Sequence, residues 1–167
     1  MKRIGALDAK DYRPDWPVFR RDAVRAILLR GDRIALVYSE VEHYYKFPGG
    51  GVMGGESHLE ALLREVREET GLRVRPETVR EYGMVCEKRR SSINPETTFE
   101  QWSYYYTAEV EEETAAQDLD DYEAELGYHL VWTAPQSAYE ANLDRAADPK
   151  YDMLRREAYV LGLLLGK

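Results

Sequence analysis

The chain has 167 residues, 31 acidic and 23 basic, and a formal net charge of −8. Nucleic acid polymers and anionic membranes both need a positive surface, so general binders of either are excluded. A single cysteine, Cys86, excludes an internal disulfide and fits a reducing compartment. With 44% hydrophobic residues and no apolar run long enough to span a bilayer, we expect a soluble cytoplasmic protein.

The first half of the chain is predicted to enter the fold through a β-hairpin. Residues 1–17 are mixed in character and are expected to be an N-terminal arm that leads into a single domain over 18–167. Two apolar, β-branched runs flank a Gly-Asp pair at 31–32, which suits a tight turn. Residues 23–29 and 34–38 are therefore predicted to be paired strands, and a glycine-rich loop follows them.

A capped helix is predicted after this loop. Ser57 and Glu60 have the S-x-x-E spacing of a capping box, and Gly71 is a typical helix end. Apolar residues recur at the i, i+3, i+4, i+7 spacing of one buried stripe. That stripe is formed by Leu59, Leu62, Leu63 and Val66.

The second half of the chain mixes strands and helices. Three strands are predicted, over 80–89, 102–110 and 127–133, and two helices, over 137–146 and 151–165. The strongly acidic segment 109–125 is expected to be a solvated loop or a short frayed helix. This order of elements favours a mixed β-sheet with helices packed on both faces.

Three glutamates share one face of the predicted helix. Glu65, Glu68 and Glu69 are three and four residues apart, so their side chains are neighbours and lie away from the apolar stripe. The helical pattern alone leaves two interpretations open. The glutamates form either a solvated acidic face or a site for hard divalent cations, which prefer oxygen ligands.

The spacing around these glutamates favours the metal site. Counted from Gly50 to Leu72, the sequence fits G-x5-E-x7-R-E-U-x-E-E-x-G-U, where U is aliphatic, at every fixed position. This 23-residue pattern resembles the box of the Nudix hydrolases, which cleave nucleoside diphosphates linked to another group. The resemblance extends over about 20–165 and implies a Nudix-like α/β/α sandwich.

The resemblance implies a metal site for Mg²⁺ or Mn²⁺. By position in the box, Glu68 and Glu69 are expected to be the principal ligands, and Glu56 to hold the metal through water. A backbone carbonyl of Gly49 or Gly50 is expected to complete the ligand set. An acidic pocket would repel a polyphosphate without such ions, so activity is expected to disappear in a chelator.

The resemblance also implies catalytic roles. Glu65 would be a third metal ligand or the base that orients the attacking water, and Arg64 would orient a glutamate by an ion pair. Many family members take a further base from outside the box. Glu125, just before the last predicted strand, is the first candidate here, with Glu123 and Glu100 behind it.

Substrate recognition is less well defined by the sequence. Tyr45 stands where many relatives carry a tryptophan and could stack on a base, and Lys46, Lys88 and Arg89 could contact phosphates. The substrate is expected to be a small nucleotide derivative: a nucleoside triphosphate, an oxidised nucleotide or a sugar nucleotide. A homodimer is left open. The alternative function is a non-catalytic Nudix-like module that binds a nucleotide as a sensor or regulator.

Overall fold

The computed structural model describes the backbone of residues 1–167 and the side chains of 1–112, 114–148 and 150–167. The strands are β1 (Arg3–Asp8), β2 (Val18–Arg30), β3 (Arg33–Ser39), β4 (Tyr45–Lys46), β5 (Leu72–Val74), β6 (Arg80–Arg90), β7 (Thr98–Ala108), β8 (Val110–Thr114) and β9 (Tyr128–Thr133). The helices are α1 (His58–Thr70), α2 (Asp121–Glu125), α3 (Pro135–Arg145) and α4 (Met153–Leu164).

In the described backbone, seven of the strands form one mixed sheet. Its order is β1-β6-β7-β2-β3-β4, and β9 pairs with β3. The β1–β6 and β2–β7 pairs are parallel, whereas β6–β7, β2–β3, β3–β4 and β3–β9 are antiparallel. The remaining strands, β5 and β8, pair with each other. The long parallel pairing of β2 with β7 places β7 beside the β2–β3 hairpin.

Helices cover both faces of this sheet, as predicted. Successive side chains of a strand point to opposite faces. Along β2, Val24 and Leu28 belong to a core cluster with Val66 of α1, whereas Ile27 belongs to a second cluster with Val160 of α4. The protein is therefore an α/β/α sandwich in which β2 is buried on both sides.

The α1 helix has the predicted ends but a different buried face. The capping box of Ser57 and Glu60 is formed, and Gly71 ends the helix in the left-handed conformation at φ 72°. Leu59 is 41% exposed, so its place in the predicted buried stripe was wrong. Glu69 is 1% exposed instead, because the loop before α1 covers that side of the helix.

Four short strands were not predicted from the sequence: β1, β4, β5 and β8. The N-terminal segment contains β1, which pairs with the edge of the sheet at β6. The acidic segment contains β8 as well as α2, so its description as a solvated loop or frayed helix was incomplete. The two-residue β4 lies within the predicted glycine-rich loop. None of the helices traced over 1–167 is long and apolar enough to cross a lipid bilayer.

Candidate active site

The glycine-rich loop between β4 and α1 runs alongside β2. The amides of Val24 and Ala26 donate hydrogen bonds to the carbonyls of Gly50 and Pro48 at 2.9 and 2.8 Å. Gly49 has a φ of 135°, a conformation that residues with a side chain rarely adopt. These bonds fix the loop against the middle of the sheet and direct it into the start of α1.

Arg64 gathers three of the box glutamates around one guanidinium. Its Nε and Nη2 donate to the Glu56 carboxylate at 2.8 and 2.9 Å. Its Nη1 donates to Glu65 at 2.8 Å and to Glu68 at 3.1 Å. The hydrogen bonds from Arg64, with one from the Met53 amide, lower the pKa of Glu56 to about 2. One guanidinium thus holds three carboxylates close together.

The fourth box glutamate, Glu69, has different partners. Its Oε1 accepts a hydrogen bond from Lys46 Nζ at 2.6 Å, and its Oε2 accepts one from the Gly49 amide at 2.8 Å. Burial raises the pKa of Glu69, and the charges of Lys46 and Arg25 oppose this rise. Lys46 Nζ also lies 3.7 Å from Glu123 Oε1, so this lysine is held between two carboxylates.

The glutamates lie where two cavities meet. The larger cavity, of about 400 Å³, is lined by Glu65 and Glu69 together with the three glycines at 49–51. The smaller, of about 210 Å³, is lined by Glu65, Glu68 and Arg64. Asp120 and Glu123, from α2 and the residue before it, line both cavities. We call the larger cavity the cleft and the smaller one the acidic pocket. Glu65 lines both.

One wall of the cleft, formed by the sheet, is basic. Strand register builds this wall, because Arg21 of β2 pairs with Gln101 of β7, which pairs in turn with Glu87 of β6. Arg25 lies on the same face of β2, and Arg89 of β6 stacks on the Phe99 ring 4.6 Å away. All of these residues line the cleft.

Three arginines of this wall have no carboxylate partner within 4.0 Å among the described side chains: Arg21, Arg25 and Arg89. Arg25 is 7% exposed. It donates one hydrogen bond to the Gly49 carbonyl, and its buried Nε makes none to the described residues. Arg156 of α4, by contrast, is paired with Glu87 and Glu157. The cleft thus combines carboxylates with arginines that form no ion pair with a described carboxylate within 4.0 Å.

The structure separates the predicted substrate residues. Lys46 and Arg89 line the cleft. Tyr45 instead packs against Tyr38, with ring centroids 4.8 Å apart, and Lys88 lies 4.9 Å over the ring of Tyr12. Neither Tyr45 nor Lys88 is among the residues described as lining the cleft. Its aromatic lining comes from Phe99, Tyr122 and Tyr128.

The candidate bases outside the box also differ in position. Glu123 lines both cavities, and its side chain is 13% exposed. Glu125, at the other end of the one-turn helix α2, is exposed and is not among the described lining residues. Glu100 accepts a hydrogen bond from Trp102 Nε1. Of the three, Glu123 alone is among the described residues that line a cavity together with box glutamates.

Several cleft residues could not be predicted from their sequence neighbourhood alone. The one available signal was Arg25, which interrupts the apolar run Ala23–Leu28 that becomes the doubly buried part of β2. A charged residue in such a strand needs a buried partner or a ligand. Arg21, Gln101 and Asp120 carry no comparable signal.

The donor set fits a hard divalent cation. Glu65 and Glu68 present carboxylate oxygens within hydrogen-bond reach of one arginine nitrogen, and such oxygens are the ligands that Mg²⁺ and Mn²⁺ take. A Cβ atom on Gly50 would collide with the Glu65 carboxylate, so only glycine leaves that carboxylate in place beside the loop. Within the described side chains, no three His, Cys, Asp or Glu residues already converge on one metal position.

Comparison with known proteins agrees with this geometry. The NUDIX domain model matches residues 19–156, so the chain belongs to the Nudix family. A Nudix hydrolase from Nitrosomonas europaea is similar in structure, with a TM-score of 0.56 and 22% identity over 86% of this chain and 90% of that one. A MutT Nudix hydrolase from Burkholderia pseudomallei gives a TM-score of 0.53 and 22% identity over 71% and 85%. At such identities these neighbours establish the fold.

Proposed function

We propose that the chain is a divalent-metal-dependent hydrolase that cleaves a pyrophosphate bond in a nucleoside diphosphate derivative. One observation carries this proposal: a single cleft is lined both by Glu65 and Glu69 of the box and by three arginines that have no described carboxylate partner. A bound diphosphate needs cations to balance its charge, and a cleft of this kind supplies arginines together with carboxylates that can hold metal ions.

The metal ions would be held by the acidic residues of the box. Glu65, Glu68 and Glu69 would be direct ligands, Glu56 would act through water, and a carbonyl of the glycine loop, Gly49 or Gly50, would add a further oxygen. Bound Mg²⁺ or Mn²⁺ neutralises phosphate charge and lowers the pKa of bound water. Arg64 donates four hydrogen bonds to Glu56, Glu65 and Glu68 and so holds their carboxylates together, and we assign it this positioning role.

The basic wall would bind the phosphates. Arg21, Arg25 and Arg89 each carry a guanidinium group, which can donate two parallel hydrogen bonds to a phosphate. Arg25 is fixed by the Gly49 carbonyl, so its position needs little reorganisation when an anion enters. Phe99 and Tyr122 add apolar surface in the same cleft, suited to stack on a base or to cover a sugar.

A general base must reach the attacking water. Glu65 and Glu123 both border the cleft and the acidic pocket, and we rank Glu123 ahead of Glu125 as the base from outside the box. Loss of a general base typically slows a reaction by roughly 10²- to 10⁴-fold. Glu123→Gln should therefore lower kcat far more than Glu125→Gln. A larger loss of kcat in Glu125→Gln than in Glu123→Gln would restore Glu125 to first place.

The substrate class is tested by a screen. Release of phosphate or pyrophosphate should be measured over nucleoside triphosphates, oxidised nucleotides, sugar nucleotides and dinucleoside polyphosphates, with Mg²⁺ and with Mn²⁺. The proposal predicts turnover of at least one class and its loss in Glu68→Gln. Tight nucleotide binding without turnover under either metal would instead favour the non-catalytic binding module.

A further inference from the structure

Lys46 occupies an unusual place for a lysine. Its side chain is 10% exposed and that of Glu69 only 2%, and the two charged groups are 2.6 Å apart. The other oxygen of Glu69 accepts the Gly49 amide. Both oxygens of this glutamate, an expected metal ligand, are therefore engaged by donors from the protein itself.

The same ammonium has a second carboxylate within reach. Lys46 Nζ is 3.7 Å from Glu123 Oε1, and it lies 4.6 Å over the ring of Tyr128. The flexible stem of a lysine lets its charge move a short distance between carboxylates. The face of an aromatic ring attracts a cation, so the ammonium keeps a favourable contact along this path. The structure thus contains both ends of a short exchange, Glu69 and Glu123.

A divalent ion at Glu69 would conflict with Lys46. Two cations that share one carboxylate repel each other, and burial reduces the screening of that repulsion by water. Glu69 is nevertheless too buried to carry its charge without a partner. Without metal, the charge of Glu69 must be balanced by a cation of the protein. When a metal ion binds, that cation must leave Glu69, so it must be able to move.

We propose that Lys46 is an exchangeable counter-ion of the metal site, which neutralises Glu69 in the metal-free protein and moves to Glu123 when a divalent ion binds. The proposal rests on the proposed function, because it requires an ion at Glu69. Lys46 is then a positioning residue that makes metal binding weaker than the carboxylates alone would allow. It also keeps the metal-free site folded and available.

The direct test is Mn²⁺ binding, measured by electron paramagnetic resonance of free Mn²⁺, without substrate. Lys46→Gln removes the charge but retains a group that can donate to Glu69, and it should bind Mn²⁺ roughly tenfold more tightly or better. Lys46→Arg keeps the charge and should bind no more tightly than wild type. Lys10→Met, which removes an exposed lysine, should leave the affinity unchanged. An unchanged or weaker affinity in Lys46→Gln would overturn the proposal.

A double-mutant cycle separates the exchange from a simple ligand role of Glu123. If Lys46 moves to Glu123, then Glu123→Gln weakens Mn²⁺ binding in the wild-type background and has much less effect in Lys46→Gln. If Glu123 were only a metal ligand, its substitution would weaken binding equally in both backgrounds, and the exchange would be refuted. Asp121→Asn, an exposed acidic residue on the same short helix, is the matched control.

Thermal unfolding adds a readout that does not depend on activity. Metal-free Lys46→Gln should have a lower Tm than wild type, because Glu69 loses its counter-ion, and Mn²⁺ should raise its Tm by more. An equal Mn²⁺-induced rise in both proteins would contradict the proposal. Wild-type protein that binds no Mn²⁺ would contradict the proposed function itself. The two failures are therefore distinguishable.

Discussion

Substitution of Gly50 by alanine should greatly reduce activity while the fold survives. A Cβ atom at this position would lie 2.5 Å from Glu65 Oε1, closer than real Cβ atoms approach an oxygen. Gly50 does not have the positive φ of Gly49, so the alanine backbone itself fits. The strain falls on the Glu65 carboxylate, which must move and give up its 2.8 Å hydrogen bond from Arg64.

The size of the effect follows from that bond. A hydrogen bond to a charged group is worth about 1.5–3 kcal/mol. If the lost alignment is expressed fully in the transition state, kcat/KM should fall roughly 10- to 150-fold. The change in Tm should be small, because the displaced atoms belong to a side chain at the edge of a cavity. Steady-state kinetics and a thermal melt of the same preparation measure both quantities.

Gly49→Ala is the matched control, with the opposite expectation. Gly49 has a φ of 135°, and its Cβ would overlap the Val24 carbonyl and approach Val24 C to 2.9 Å. Backbone strain alone should lower the free energy of unfolding by about 1–3 kcal/mol. That corresponds to a Tm lower by roughly 2–4 °C for each kcal/mol in a chain of this size. A Gly50→Ala variant with full activity would refute the placement of Glu65 against the loop.

Three further predictions concern the cleft wall, the core and the arginine network. Arg21→Met should raise KM roughly tenfold or more at unchanged Tm, as expected for a lost charged contact to phosphate. Arg20→Met should not raise KM, because the Arg20 side chain stacks on a tryptophan outside the cleft. Equal KM values for the two variants would contradict the assignment of the basic wall. Leu62→Ala should cost about 2–5 kcal/mol in urea unfolding and Leu59→Ala less than about 0.5, because one is buried and the other exposed. The pKa of Glu56 is lowered from 4.5 to about 2. Metal-free protein should therefore lose the stability contributed by this group as the pH falls from about 4.5 towards 2, and Glu56→Gln should lose less stability over that range. Parallel profiles of unfolding free energy against pH for the two proteins would contradict this.

The predictable part of the structure was local in the chain. The ends of α1 depend on residues within one turn of each end, Ser57 with Glu60 and then Gly71, so spacing alone identified them. The hairpin around 31–32 is likewise specified by a two-residue turn. The box pattern extends over one loop and one helix that are adjacent in the chain, so spacing within a single segment was enough to recognise it.

The unpredicted part depends on pairings between distant segments. Arg21 faces the cleft because β2 pairs in parallel with β7, which sets it beside Gln101. Lys46 meets Glu69 because the loop before α1 folds back across that helix, and this also explains why Glu69 is buried rather than solvated. Helical periodicity placed Glu69 away from the apolar stripe, but it describes one helix and contains no information about what packs against it.

The proposed hydrolysis requires that the carboxylates of α1 hold a divalent ion. The most direct measurement is turnover of the best substrate from the screen as a function of Mg²⁺ concentration, for wild type and Glu68→Gln, with an excess of EDTA as the zero point. We expect the activity of the wild type to saturate with Mg²⁺ and to disappear in EDTA. Glu68→Gln should lose activity, and Mg²⁺ at the concentrations that saturate the wild type should not restore it. Hydrolysis that continues in excess EDTA, or full activity of Glu68→Gln, would contradict the account.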